Sequence, residues 1–149
     1  MDWTELETST YQDHVIKHVL GATVLGWVVI EDALHVLLDV GLLWTIYISA
    51  EMSLMAQGVA IQDLEGDELS SSEVMQLSSD AQRLISEGRE ATDITRFVAA
   101  PVECAITSVD VFAAEGRRRI IILGESAEIR IETSLDQSSF AIEASEERS

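Results

Sequence analysis

The feature that most constrains this fold is an apolar region, residues 18–62, which acidic residues cut into short pieces. Glu31, Asp32, Asp39 and Glu51 divide it into charge-free runs of at most 13 residues. A transmembrane helix needs about 20 predominantly apolar residues, so we predict no membrane span. Short runs rich in Val, Ile, Leu, Trp and Tyr are typical of β-strands.

Two sets of antiparallel strands are predicted. The first set comprises residues 22–30, 33–38 and 42–48, separated by short acidic turns. The second set follows Pro101 and comprises residues 102–113, 118–123, 127–133 and 139–144. The unbroken apolar run 120–123 predicts a central strand that is covered on both faces. Residues 52–61 fit either a strand or a turn of helix.

Two amphipathic helices are predicted, at about 11–20 and at 70–87, from apolar residues that recur at helical spacing. Each has a capping pair at its start, Thr10 with Asp13 and Ser70 with Glu73. The apolar face of the second helix is formed by Val74, Leu77, Ala81, Leu84 and Ile85. Its opposite face is expected to be solvated and is formed by Glu73, Gln76, Asp80, Arg83 and Glu87.

Together these elements predict an α+β fold in the order α-βββ-α-ββββ, in which two helices pack on antiparallel sheet of about seven strands. A length of 149 residues suits a single domain, 1–149. The polar ends 1–8 and 145–149 are expected to be loose, and the acidic segment 63–72 to be a surface linker.

The charge of the chain narrows its partners. There are 27 acidic residues against 9 basic ones, Lys17 is the single lysine, and the formal net charge is -18. Nucleic-acid binding depends on Lys and Arg contacts to phosphate, so we predict neither a nucleic-acid nor a membrane partner. A basic protein or peptide, or a metal cation, would be attracted instead.

Cysteine usage points to a reducing compartment. Cys104 is the only cysteine, so no intrachain disulfide forms, and its alternation with Val102 and Ile106 predicts a buried apolar role. Acidic residues occupy the first positions, where a secretory signal would need a cationic segment. We therefore predict a cytoplasmic protein.

Three histidines form the candidate metal site. His14 and His18 are four residues apart on the first helix, so their imidazoles share one side and could bind a metal. His35, Asp13 or Glu31 is the candidate third ligand. The alternative is that the pair flanks the apolar stripe as amphipathic residues at the boundary of the core.

A second candidate site is the only dense basic cluster, Arg117, Arg118 and Arg119. Guanidinium groups suit carboxylate or phosphate, so the cluster could contact an anion or an acidic segment of a partner. The alternative is that these arginines neutralise Glu128 and Glu132 across the sheet.

No catalytic set and no cofactor motif is recognised in the sequence. The hypothesis it favours is a non-enzymatic acidic interaction protein, chaperone-like, adaptor-like or regulatory, which binds another protein or itself, most simply as a homodimer. The alternative hypothesis is a small-molecule- or metal-binding enzyme with a pocket near the first helix and the first three strands.

Overall fold

The computed structural model describes residues 2–64 and 69–146, which form two antiparallel five-stranded sheets and three α-helices. The meander sheet contains, in spatial order, β5 (Met52–Ala56), β4 (Leu42–Tyr47), β3 (Ala33–Leu38), β2 (Val24–Ile30) and β6 (Val98–Ala99). The C-terminal sheet contains β1 (Thr4–Glu5), β7 (Ile106–Ala114), β8 (Arg117–Gly124), β9 (Ala127–Ser134) and β10 (Ser139–Glu146). The helices are α1 (Thr10–Val19), α2 (Gln57–Gln62) and α3 (Ser71–Glu87), and a short 3-10 helix, Gly88–Glu90, follows α3.

The predicted α+β class is confirmed, although the described residues hold ten strands and three helices where about seven and two were expected. The extra elements are short. Residues 52–61, which fitted either structure, form β5 and then most of α2. A two-residue strand, β1, lies within the N-terminal segment that was expected to be loose, and β6 is equally short.

The meander sheet separates two apolar cores. On one face, α1 and the C-terminal sheet pack against it through residues such as Val15, Trp44 and Ile122. On its other face, α2 and α3 pack through residues such as Ile61 and Leu77. Most of both faces of this sheet is therefore buried, which explains why its strands read as continuous apolar runs.

The start of α1 differs from the predicted capping pair. The N-cap is Ser9, whose hydroxyl accepts from the backbone N–H of Gln12, and the Gln12 side chain accepts in return from the N–H of Ser9. The pairing of Thr10 with Asp13 was wrong by one residue, because Gln serves at the third helical position as well as an acid does. Gln12 is also buried, and it donates to the carbonyl oxygen of Ala50 at 2.7 Å.

The start and end of α3 agree with the sequence. Ser70 is the N-cap and forms the predicted reciprocal capping box with Glu73, while Gly88 ends the helix with φ of +80°. Four residues of the predicted apolar face are buried, and Ile85 is partly buried; the four are Val74, Leu77, Ala81 and Leu84. Of the preceding linker 63–72, residues 65–68 lie outside the described residues.

Strand β8 is central in the C-terminal sheet, as predicted, but it is not covered on both faces. Its residues alternate, so that Ile120 and Ile122 are fully buried while Ile121 and Leu123 are only half-buried on the outer face. In the part of the chain that the structure describes, no helix is both long enough and apolar enough to cross a bilayer.

Candidate functional site

Strand β10 is the longest sheet edge without a partner among residues 2–64 and 69–146. It pairs with β9 along its whole length, from Ser139 opposite Ser134 to Glu146 opposite Ala127, and its other side is unpaired. The edge strands β1 and β6 have two residues each, and β5 is contacted by α1 and α2. A long unpaired edge exposes backbone N–H and C=O groups that can pair with another strand.

The side chains of β10 do little to block such pairing. Phe140, Ile142 and Ala144 pack, partly buried, against the core between the sheets. Lys and Pro residues commonly protect sheet edges, but β10 contains neither, and its only charged residues are Glu143 and Glu146. The edge therefore combines half-exposed apolar side chains with unpaired backbone.

The outer face of the C-terminal sheet carries a small network of charges and one aromatic ring. The guanidinium of Arg119 lies 3.0 Å from the carboxylate of Glu132 and 4.1 Å from the ring centre of Trp3. Arg130 contacts Glu128 at 3.4 Å. Such partly exposed pairs contribute about 0.2 to 1 kcal/mol each, so they orient side chains more than they stabilise the fold.

The three clustered arginines are divided between the two faces of β8. Successive residues of a strand point to opposite sides of the sheet. Arg118 lies directly opposite the buried Thr133 and so is on the inner face. Arg119 lies on the outer face beside Trp3. Arg118 donates to the carbonyl oxygen of Arg117 at 2.9 Å. The structure does not bring the three guanidinium groups together on one face.

His14 and His18 lie together on the exposed side of α1. Their ring centres are 4.5 Å apart, and Nδ1 of His18 lies 2.8 Å from the carbonyl oxygen of His14. Because a carbonyl oxygen only accepts, this Nδ1 carries the hydrogen and Nε2 of the neutral ring holds the lone pair that a metal would need. The pair can thus offer a ligand nitrogen to solvent.

His35 is separated from that pair. It lies on β3 in register with Val28 and Thr45, on the face of the meander sheet that packs against α2 and α3, whereas α1 packs on the opposite face. Within residues 2–64 and 69–146, no group of three His, Cys, Asp or Glu side chains is arranged to hold a metal ion. The structure brings together two of the three predicted ligands.

His35 has a well-defined environment of its own. It is 6% exposed, and its Nδ1 lies 2.9 Å from Oγ1 of the buried Thr45. Burial lowers the pKa of His35 from 6.5 to about 4, so the ring is neutral at pH 7. The ring also lines a cavity of about 250 Å³ with Ile30, Asp32, Ala33, Tyr47 and Leu64.

Cys104 is fully buried, as predicted from its alternation, although β7 begins two residues later. Burial raises the pKa of its thiol to about 11. Cysteine chemistry requires the thiolate, which is scarce at neutral pH under these conditions. The role of Cys104 is therefore packing, and it packs so closely that a Cβ at position 124, which is Gly124, would lie 2.8 Å from its sulfur.

The most constrained polar residue is one that the sequence pattern placed on a solvated face. Asp80 on α3 has no exposed surface. Its Oδ2 accepts from the backbone N–H groups of Thr95, Arg96 and Phe97, and its Oδ1 accepts from Gln76. That prediction was wrong for Asp80, because its partners come from a segment 15 to 17 residues away that helical periodicity cannot detect.

The chain matches no protein-family model, no curated protein and no solved structure.

Proposed function

We propose that this chain is a non-enzymatic, acidic, cytoplasmic interaction protein, chaperone-like, adaptor-like or regulatory, that pairs β10 with a strand of another chain. The observation that carries the proposal is the eight-residue edge of β10, which has no partner strand among the residues that the structure describes. Strand addition to an exposed edge is a common mode of protein recognition, in which backbone hydrogen bonds provide affinity and side-chain contacts provide specificity. The single, buried, unpaired Cys104 supports a reducing compartment.

The simplest partner is a second copy of the same chain. Two β10 strands can pair antiparallel about a two-fold axis, and this would join two five-stranded sheets into one. If Ile142 lies on the axis, Phe140 of each copy is opposite Ala144 of the other, and Ala141 is opposite Glu143. This register continues the apolar inner face across the junction and places no glutamate directly opposite another.

The charge of the protein acts against self-association. Each copy carries a formal charge of -18, so two copies repel one another at long range. Salt screens this repulsion, with a Debye length of about 8 Å at physiological ionic strength. The proposed dimer is therefore expected to strengthen as salt is added, and a basic partner strand would compete with the second copy most effectively at low salt.

A pair of charge variants at one position tests the dimer. Ala141 is exposed on the outer face of β10, so its replacement leaves the core intact. It lies opposite Glu132 of β9, so each variant also changes one charge contact within the chain, which a melting curve of the monomer measures. In the proposed register, Ala141→Glu places two carboxylates opposite one another at two symmetric positions, whereas Ala141→Arg places an arginine opposite Glu143. Like charges directly opposite one another destabilise pairing, and opposite charges contribute about 0.2 to 1 kcal/mol per pair.

Light scattering over a range of protein concentrations at physiological salt measures the result. The parent is expected to dimerise, Ala141→Glu to dimerise more weakly, and Ala141→Arg at least as tightly as the parent. Equal dimerisation of the two variants would show that β10 is not the contact. A parent that stays monomeric would rule out a second copy as the partner. The capture experiment then compares the tagged parent with its Ala141→Pro variant in native extract. The two would capture different proteins only if another chain pairs with the edge of β10.

A further inference from the structure

A cavity beside His35 lies apart from β10 and plays no part in the proposed pairing. It lies beside the turn between β2 and β3, and Leu64, which follows α2, forms part of its wall. Its volume is about 250 Å³, and its lining comprises Ile30, Asp32, Ala33, His35, Tyr47 and Leu64. An enclosed apolar cavity of about 150 Å³ suffices to bind benzene. This one is open to solvent on one side, and its volume leaves room for a single ring with a small substituent.

The polar group of this cavity is a buried imidazole held in place on one side. His35 is 6% exposed, and the hydroxyl of Thr45 fixes its Nδ1 at 2.9 Å. That contact occupies Nδ1, so Nε2 is the ring nitrogen that remains for a ligand. Because the His35 ring forms part of the wall of the cavity, it marks a position where a ligand can bond.

The chemistry of the site narrows the class of ligand. The Thr45 hydroxyl can donate to Nδ1 or accept from it, so Nε2 is either an acceptor or a donor. A ligand hydroxyl can satisfy both arrangements. Asp32 at the lining and the net charge of -18 disfavour an anion, and a cation would have to leave water to lie beside a neutral ring.

We infer that this cavity is a binding site for a small neutral ring compound with one hydroxyl group, such as a phenol or a cyclic alcohol. The hydroxyl bonds Nε2 of His35, and the ring contacts Ile30, Ala33 and Leu64. Thr45 acts as a positioning residue, because it fixes the imidazole that the ligand touches. This site is independent of the proposed partner strand and of the oligomeric state.

The test uses 4-methylphenol as the probe and protein labelled with ¹⁵N at histidine. We expect saturable shifts of the His35 ring nitrogens at millimolar probe, while the exposed His14 and His18 serve as internal controls. Toluene lacks the hydroxyl and is expected to bind about tenfold more weakly, as is the anion 4-methylbenzoate.

Two variants separate the cavity from the hydrogen bond. Ala33→Leu fills the cavity and is expected to abolish binding, whereas Val29→Leu is the matched control because Val29 is 45% exposed on the opposite face of the same hairpin. His35→Leu is expected to remove the preference for 4-methylphenol over toluene. Because the core of His35→Leu is altered, the Ala33 variant provides a test that does not depend on its folding.

Three outcomes would overturn the inference. These are the absence of a saturable His35 shift in the parent, equal binding of 4-methylphenol to Ala33→Leu and the parent, and equal affinity of the parent for 4-methylphenol and toluene. None of them bears on the pairing of β10, which light scattering measures separately.

Discussion

Replacing Asp80 tests whether one buried carboxylate fastens the segment after α3 to the helix. Its Oδ2 accepts from the N–H groups of Thr95, Arg96 and Phe97 at 3.2, 2.6 and 3.1 Å. Phe97 is buried in the core against α3, and β6 follows directly. Loss of the carboxylate leaves three converging N–H groups without an acceptor, so the segment has to move or stay unpaired.

The expected cost of Asp80→Ala is about 3 to 5 kcal/mol. Hydrogen bonds to a charged group contribute about 1.5 to 3 kcal/mol each, but three that share one oxygen are not additive. Asp80→Asn keeps an oxygen that can accept, without the charge, and is expected to cost about 1 to 2 kcal/mol. Gln82→Ala, at an exposed position of the same helix, is the control and should change stability by less than about 0.5 kcal/mol.

Urea denaturation followed by tryptophan fluorescence and by circular dichroism gives the free energies of unfolding. Domains of this size are stable by about 5 to 15 kcal/mol, so the loss in Asp80→Ala is large enough to shift the midpoint clearly. If Asp80→Ala and Gln82→Ala unfold at the same urea concentration, the carboxylate of Asp80 does not fasten the segment to α3. If Asp80→Asn costs as much as Asp80→Ala, the negative charge and the second acceptor oxygen matter more than one neutral acceptor at Oδ2.

Three further predictions concern stability. Leu77→Ala should cost about 2 to 5 kcal/mol in urea denaturation, because Leu77 is 1% exposed, whereas Met75→Ala should cost little, because Met75 is 71% exposed. The pKa of His35 is about 4 in the folded chain and 6.5 when unfolded, so the native state binds fewer protons between these values. Its contribution of about 3 kcal/mol should be complete above pH 6.5 and lost as the pH falls towards 4, and the His35→Leu variant should lack this slope. The melting temperature should rise with KCl mainly below a few tenths molar, because the Debye length shortens most over that range. A melting temperature that does not change with KCl would show that the carboxylates do not repel one another appreciably.

The elements that could be predicted from the sequence are those whose signals are local. The first three strands are bounded by Glu31-Asp32 and by Asp39 to Gly41, and the structure keeps them as a meander. The capping residues Ser70 and Glu73 are three positions apart, and their reciprocal bonds form within the chain segment itself. Such features need no knowledge of the rest of the fold.

The elements that could not be predicted depend on distant parts of the chain. The run 120–123 has the composition of a strand buried on both faces, yet Ile121 and Leu123 on its outer side are only half-buried. Asp80 has the polarity of a surface residue, and only the arrival of residues 95–97 accounts for its burial. In both cases burial is decided by tertiary contacts that residue type does not encode.

The features of the candidate sites also divide into those set by local spacing and those set by the tertiary fold. The closeness of His14 and His18 follows from helical spacing, and it was predicted. The separation of His35 from that pair follows from which face of β3 it occupies, and the alternation within a fully buried sheet does not reveal which face is which. The free edge of β10 could have been found, because the last strand of an antiparallel meander has one neighbour in sequence and needs a later strand to cover its other side.

Salt is expected to raise the melting temperature in two ways, by screening repulsion within one chain and by strengthening the proposed dimer through β10. The two effects can be separated. Screening within one chain raises the melting temperature regardless of protein concentration. Dimer formation stabilises by mass action, so its contribution grows with protein concentration. The parent should therefore gain more from KCl at high concentration than at low concentration, whereas Ala141→Glu should show only the part that does not depend on concentration. If the parent and Ala141→Glu respond to KCl identically at every protein concentration, the salt effect arises within a single chain and the proposed pairing of β10 contributes nothing to it.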